Sequence, residues 1–93
     1  MIESFKCKET EKIFSRQYSR KLPADIQTVA FRKLRMLNRS STLQDLRVPP
    51  ANRLEALSGN RKGQHSIQIN QQWRLCFKWE NGNAQEVEII DYH

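Results

Sequence analysis

Three groups of residues in this 93-residue chain have side chains suited to phosphate chemistry: Arg74, the run Asn60-Arg61-Lys62 between Gly59 and Gly63, and the ending Asp91-Tyr92-His93. A guanidinium stays charged at physiological pH and can grip a phosphate with two parallel hydrogen bonds. A glycine-flanked basic turn brings backbone N–H groups and cations toward the same anion, although as a solvated turn it needs no function. A histidine beside a tyrosine and an aspartate offers a proton-exchanging imidazole, a phenol or stacking ring, and a carboxylate to orient either. In an arbitrary protein the bland arrangement is Tyr92 capping the core, His93 fraying and Asp91 pairing with a lysine.

The periodicity says where these groups point. Trp73, Leu75, Phe77 and Trp79 alternate with Arg74, Cys76 and Lys78, so Arg74 is expected on the less apolar face of a strand. As an ordinary surface arginine it would pair with a carboxylate such as Glu88 on a neighbouring strand. If Val87 and Ile89 face the core, strict alternation sends Asp91 and His93 to that side and Tyr92 to the side of Arg74, unless a bulge re-aims them. His65 shares its parity with Ile67 and Ile69 and is expected as a hydrogen-bonded histidine on the core side. Cys7, Cys76, His65 and His93 lack the spacing of a zinc set, so neither metal nor cofactor is expected.

These strands need a scaffold. Ile2 to Phe5 reads as a short strand and about Lys8 to Ser19 as an amphipathic helix, with Thr10, Ile13, Phe14 and Tyr18 near helical spacing. Pro23 opens a second helix in which Ile26, Val29, Ala30, Leu34 and Leu37 make one apolar stripe, while Arg32, Arg35 and Arg39 fall on another. Pro49-Pro50 forbids continuous helix, and beyond it the period becomes two. Strands are expected at Arg53 to Leu57, His65 to Ile69, Trp73 to Trp79 and about Gln85 to Tyr92, with a tight hairpin at Glu80-Asn81-Gly82-Asn83. The resulting fold class is α+β: two N-terminal helices packed on one face of an antiparallel sheet whose other face stays open.

Composition sets the partners. The chain is long enough for one domain over residues 1–93 and too short for two. Residues 1–50 hold 11 Lys and Arg against 5 Asp and Glu, so the net charge of +6 lies in the first half. An isoelectric point near 9.8 predicts attraction to polyanions, with nucleic acid the first to consider. No apolar run is long enough for a membrane span, and the start MIESFKCKE lacks the apolar core of a signal peptide, so a cytoplasmic protein with two reduced cysteines and no membrane partner is expected.

The stretch RVPPANRLEALSGNRKGQHSIQINQQWRLCFKW, followed by VEIIDYH, resembles the HigB branch of the RelE/ParE toxin superfamily of bacterial toxin–antitoxin systems. The Gly59, Arg61 and Gly63 loop, the His65-Ser66-Ile67 strand, the Gln72-Trp73-Arg74 run and the Asp91-Tyr92-His93 ending carry the likeness, in that order along essentially the whole chain. The resemblance implies a RelE-like sheet with a concave face and metal-free, ribosome-dependent endonucleolytic cleavage of mRNA by 2′-hydroxyl attack. It also implies neutralisation by a HigA-like helix-turn-helix antitoxin, through which alone operator DNA is met. By that resemblance Arg74 holds the scissile phosphate, Asp91, Tyr92 and His93 form the catalytic ending, and Gln72 takes an RNA-contacting position.

The expected RNA surface adds Arg53, Asn60, Arg61 and Lys62 near the sheet, and Arg32, Lys33, Arg35 and Arg39, with Arg20 and Lys21, on the helices. Some HigB toxins carry a His at the position of Glu55 and a Lys at that of Ser58; here neither is present. One scaffold hosts several activities in this superfamily, so two other readings stay open: a ParE-like inhibitor of DNA gyrase, and a non-catalytic basic module acting only within an antitoxin–DNA complex.

Overall fold

Downstream of the diproline the buried residues change from a helical to a twofold repeat, and there the chain passes from helices to sheet. The computed structural model describes residues 1–92. Helices α1 (Lys8–Phe14) and α2 (Ala24–Arg39) precede strands β1 (Glu55–Ala56), β2 (Gln64–Gln68), β3 (Trp73–Glu80) and β4 (Asn83–Asp91). The strands lie side by side in chain order, each antiparallel to its neighbour. Ile13, Ile26, Ala30, Leu34 and Leu37 from the helices meet Ile67, Leu75, Phe77, Val87 and Ile89 from one sheet face in a single core. This is the α+β architecture that the alternation predicts.

Local chemistry fixes the register. Asn81 and Gly82 both adopt positive φ, 52° and 79°, which closes the β3–β4 hairpin with the twist the strands require. Glu86, at φ 51°, marks an irregularity in β4 where the pairing with β3 shifts between Cys76 and Lys78. Beyond it the buried hydroxyl of Thr10 in α1 accepts a 3.0 Å hydrogen bond from the Ile89 N–H, so the helix helps set where β4 resumes. The segment expected as a strand at Ile2 to Phe5 makes only two isolated parallel bridges, Ile2 with Ala84 and Phe5 with Val87.

Two segments depart from the periodicity. Helix α1 stops at Phe14 and not at Ser19, because Arg16 turns left-handed at φ 63° and Ser19 is drawn into the interior. There the Ser19 hydroxyl donates to Glu9 at 2.6 Å, and the Gln27 side chain accepts from the Ser19 N–H and donates to the Ser19 and Leu22 carbonyls. These tertiary bonds outweigh one more turn of helix. Strand β1 keeps only Glu55 and Ala56 of its expected five residues, since Pro50–Asn52 forms a 3₁₀ turn and Arg53 follows it left-handed at φ 45°.

Lys33 corrects another expectation. It lies three residues after Ala30 and four before Leu37, on the apolar stripe itself, and is buried instead of joining the exposed basic face. Its ammonium donates to Asn52, whose amide nitrogen in turn donates to the Leu46 carbonyl at 3.1 Å. Burial lowers the Lys33 pKa, with Arg32 adding a like-charge contribution. The pair pins α2 to the connection that delivers Arg53 and β1.

His65 does lie on the core side, its ring stacked on Phe77 with centroids 6.3 Å apart, but its buried Nδ1 has no hydrogen-bond partner among the described residues, contrary to the expected bonded histidine. Burial holds its pKa below the ordinary imidazole value. As pH falls through about 6.5 the unfolded chain therefore takes up a proton that the folded chain refuses. Stability is full above that pH and declines below it until the lowered folded value is reached. Urea midpoints measured between about pH 7 and pH 5 should fall more steeply for the native sequence than for His65→Leu; equal slopes would assign the acid sensitivity to other groups.

Candidate active site on the sheet face opposite the helices

On the three longer strands one parity enters the core and the other makes a polar face. Ser66 on β2, Arg74 and Cys76 on β3, and Glu88 on β4 share that second face, with Glu55 on β1 paired to Ser66. Arg74 is on the predicted side, but it is not an exposed surface residue: its side chain is only 7% accessible. A buried guanidinium must have its donors satisfied, and here they are. Nε donates to the Ser66 hydroxyl at 2.8 Å, and Nη2 to the Arg53 carbonyl at 2.6 Å and the Ser66 carbonyl at 3.4 Å. Nη1 lies 3.3 Å from a carboxylate oxygen of Glu55, whose side chain is half exposed.

Tyr92 completes the group. Its ring lies 5.4 Å from the Arg74 guanidinium carbon, a cation–π contact, and remains 44% exposed. Alternation along β4 thus resolves as the strict reading has it, with Tyr92 beside Arg74. Asp91, on the parity of Val87 and Ile89, accepts a 3.0 Å hydrogen bond from the Gln72 amide, while the Tyr92 N–H donates to the Gln72 carbonyl at 2.6 Å. Gln72 therefore clips the end of β4 in place. His93, the remaining member of the expected catalytic ending, lies outside the described residues.

Glu88 pairs not with Arg74 but with Arg61 at 3.3 Å and Lys6 at 3.5 Å. Arg61 reaches it from the turn before β2, and Cys76 lies between β2 and β4 in the register, wholly buried. Burial pushes the Cys76 thiol up to about 11, so at neutral pH it is a protonated packing group and not a nucleophile. Asn60 and Lys62 stay exposed in the same turn, and Arg53 contributes its carbonyl to the site while its side chain is exposed. Among the described residues no three His, Cys, Asp or Glu side chains gather into a metal-binding set.

A second basic surface lies on the helices, on the opposite side of the sheet. Arg32, Arg35 and Arg39 line a groove of about 320 Å³ with Thr28 and Phe31. Arg16 and Arg35 flank the Phe31 ring, with guanidinium carbons 5.1 and 5.8 Å from its centroid. The larger groove beside it, about 410 Å³ and lined by Ile13, Tyr18 and Phe31 among others, has no carboxylate or imidazole in its lining.

The sequence points to Arg74 and Tyr92, marks Glu55 only as a position where some HigB toxins carry a His, and leaves Ser66 unassigned. Ser66 had a usable signal, since it alternates with His65 and Ile67 and so belongs on the parity opposite the core. Periodicity gives no signal for Glu55, because its place follows from the pairing of a two-residue strand.

Comparison with known proteins shows the family and the fold. A family model described as the RelE-like toxin of the type II toxin–antitoxin system HigB matches residues 3–93. The chain is 42% identical to Toxin HigB-1 of Vibrio cholerae, over all of this chain and 98% of that one. It is 31% identical to Endoribonuclease HigB of Proteus vulgaris, with both chains covered in full. Among solved structures, the YoeB–YefM complex from Staphylococcus aureus superposes with a TM-score of 0.61 at 18% identity, over all of this chain and 98% of that chain, a likeness of fold. Sequence, fold and the ordered series of motifs therefore converge, and the chain belongs to the HigB-like family, the RelE-like toxins of type II toxin–antitoxin systems.

Proposed function

We propose that this toxin is an endoribonuclease that cuts mRNA on the ribosome and thereby stops translation. The observation that carries this reading is Arg74, buried and bonded on several sides, with a half-exposed carboxylate and an exposed aromatic ring at its open side. Cleavage needs three things: the 2′-hydroxyl loses a proton, the pentavalent phosphorus carries extra negative charge, and the 5′-oxygen leaving group gains a proton. Arg74 supplies the charge from a preorganised position, which is where such stabilisation is strongest. The phosphate displaces Glu55 from Nη1, and the freed carboxylate accepts the 2′-hydroxyl proton as the 2′-oxygen attacks phosphorus. The bond to the 5′-oxygen breaks, His93 gives that oxygen its proton, and a 2′,3′-cyclic phosphate remains. Tyr92 stacks on a base, and Gln72 and Asp91 hold the strand end that carries Tyr92.

The helix arginines Arg32, Arg35 and Arg39, with Arg20 and Lys21, anchor the protein to ribosomal RNA, and Arg53, Asn60, Arg61 and Lys62 line the approach of the message. The Proteus vulgaris relative, which is named an endoribonuclease, supports the activity. The YoeB–YefM complex and the family's own definition support neutralisation by an antitoxin, here a HigA-like helix-turn-helix protein that alone carries the toxin to operator DNA. The activity belongs to the cytoplasm, where ribosomes and message are.

Primer extension on a defined mRNA, with and without programmed ribosomes, tests this. Cuts should appear only with ribosomes. Arg74→Ala should lower the cleavage rate by about 10²- to 10³-fold and Glu55→Gln by about 10²-fold. Full activity in Arg74→Ala would refute the site, and a faster Glu55→Gln would make that carboxylate a competitor and not a base. Replacing Arg32, Arg35 and Arg39 by Gln should weaken ribosome binding and flatten its dependence on log salt by about one unit per arginine. An unchanged slope would place the anchor elsewhere.

A further inference from the structure

Two ion clusters share the face that carries Arg74, and their charges balance differently. Among the described residues Arg74 faces one carboxylate, Glu55, and that pair is neutral. The Glu88 carboxylate, 14% accessible, faces two cations, Arg61 and Lys6, so that cluster keeps one positive charge. Glu88 is the register partner of Cys76, two residues along β3 from Arg74 and one strand across, so the backbone positions of Arg74 and Glu88 are offset by about 6.6 to 6.8 Å along the strands and about 4.8 Å between them. Arg61, Glu88 and Arg74 all act electrostatically on the Cys76 thiol, which agrees with their lying around one small area of the sheet.

The two cations come from distant parts of the chain and both are held by backbone. The Lys6 N–H donates to the Val87 carbonyl at 3.0 Å, and the turn carrying Arg61 is closed by the Lys62 N–H on the Gly59 carbonyl at 3.2 Å. Arg61 gives Nη1 to Glu88 and to Gln64, leaving the rest of its fork of donors for an anion. Both side chains reach water, Lys6 at 55% and Arg61 at 35% accessibility. A surplus cation on the same sheet face as a phosphate-binding arginine suits a chain of phosphates better than a single one.

We propose that Lys6 and Arg61, held by Glu88, form a second phosphate subsite that takes the phosphodiester adjacent to the one at Arg74. This rests on the reading of Arg74 as the scissile-phosphate ligand. The ligand class is single-stranded RNA. The subsite binds substrate and transition state alike, so it sets the half-saturating concentration and the register of the message, not the rate at saturation.

The test uses the full-length toxin and programmed ribosomes carrying mRNAs in which one phosphate beside the cut is a neutral methylphosphonate, one position per mRNA. For the native sequence, one flanking position should raise the half-saturating toxin concentration about tenfold with the saturating rate unchanged. The double variant Lys6→Gln, Arg61→Gln should show the same loss on natural mRNA and no further loss at that position. The pair Lys6→Arg, Arg61→Lys, which keeps both charges, should recover most of the affinity. Indifference of the native toxin to both neutral linkages would overturn the proposal, as would an undiminished extra loss in the double variant. If the double variant melts early, the native toxin on the substrate series and the charge-keeping pair still decide. Failure of the underlying reading looks different: Arg74→Ala would still cut.

Discussion

A guanidinium enclosed in a four-stranded sheet is tolerable only if its donors are met, and meeting those of Arg74 organises much of this molecule. Its partners come from the turn before β1, from β1, from β2 and from the end of β4. The left-handed Arg53 turns its carbonyl to Nη2, which requires the 3₁₀ turn at Pro50–Asn52, and that turn is in turn held by Lys33 through Asn52. A line of contacts thus runs from the middle of α2 to Arg74. Breaking one member of such a buried network costs more than any single surface ion pair is worth, because the remaining groups lose partners they cannot replace with water.

The same constraint separates the two basic surfaces. The helix arginines are exposed around Phe31, and their interactions with anions are long-ranged and sensitive to salt. Arg74 is desolvated, short-ranged and directional. One surface is suited to long-range attraction of a polyanion, the other to directional contact with a single anionic group.

Much of this was legible in the sequence. Twofold alternation placed β2, β3 and β4, the Asn81-Gly82 pair placed their hairpin, and parity put Arg74 and Tyr92 on one face. What stayed hidden was decided by tertiary pairing. A two-residue strand has no period to read, so Glu55 was seen only as a departure from a family pattern. The end of α1 depends on Gln27 binding Ser19 from another helix. Lys33 was misjudged from its charge, although its spacing from Ala30 and Leu37 already put it on the buried stripe. His65 was correctly placed inward, but whether its ring finds a partner depends on neighbours that periodicity does not name.

The Arg74–Glu55 pair also bears on selectivity. Free nucleotides and metabolite phosphates crowd any cell, and an unpaired arginine at a surface is a general trap for them. Here an arriving anion must first replace a carboxylate that already neutralises the guanidinium, so a small phosphate compound exchanges one ion pair for another and gains little. A long strand held at several points at once brings its phosphate to Nη1 at a high effective concentration and makes the exchange favourable. On the proposed reading of Arg74 as a phosphate ligand, Glu55 would work as a filter on polymer length, discriminating against the most abundant phosphates without any pocket shaped to exclude them.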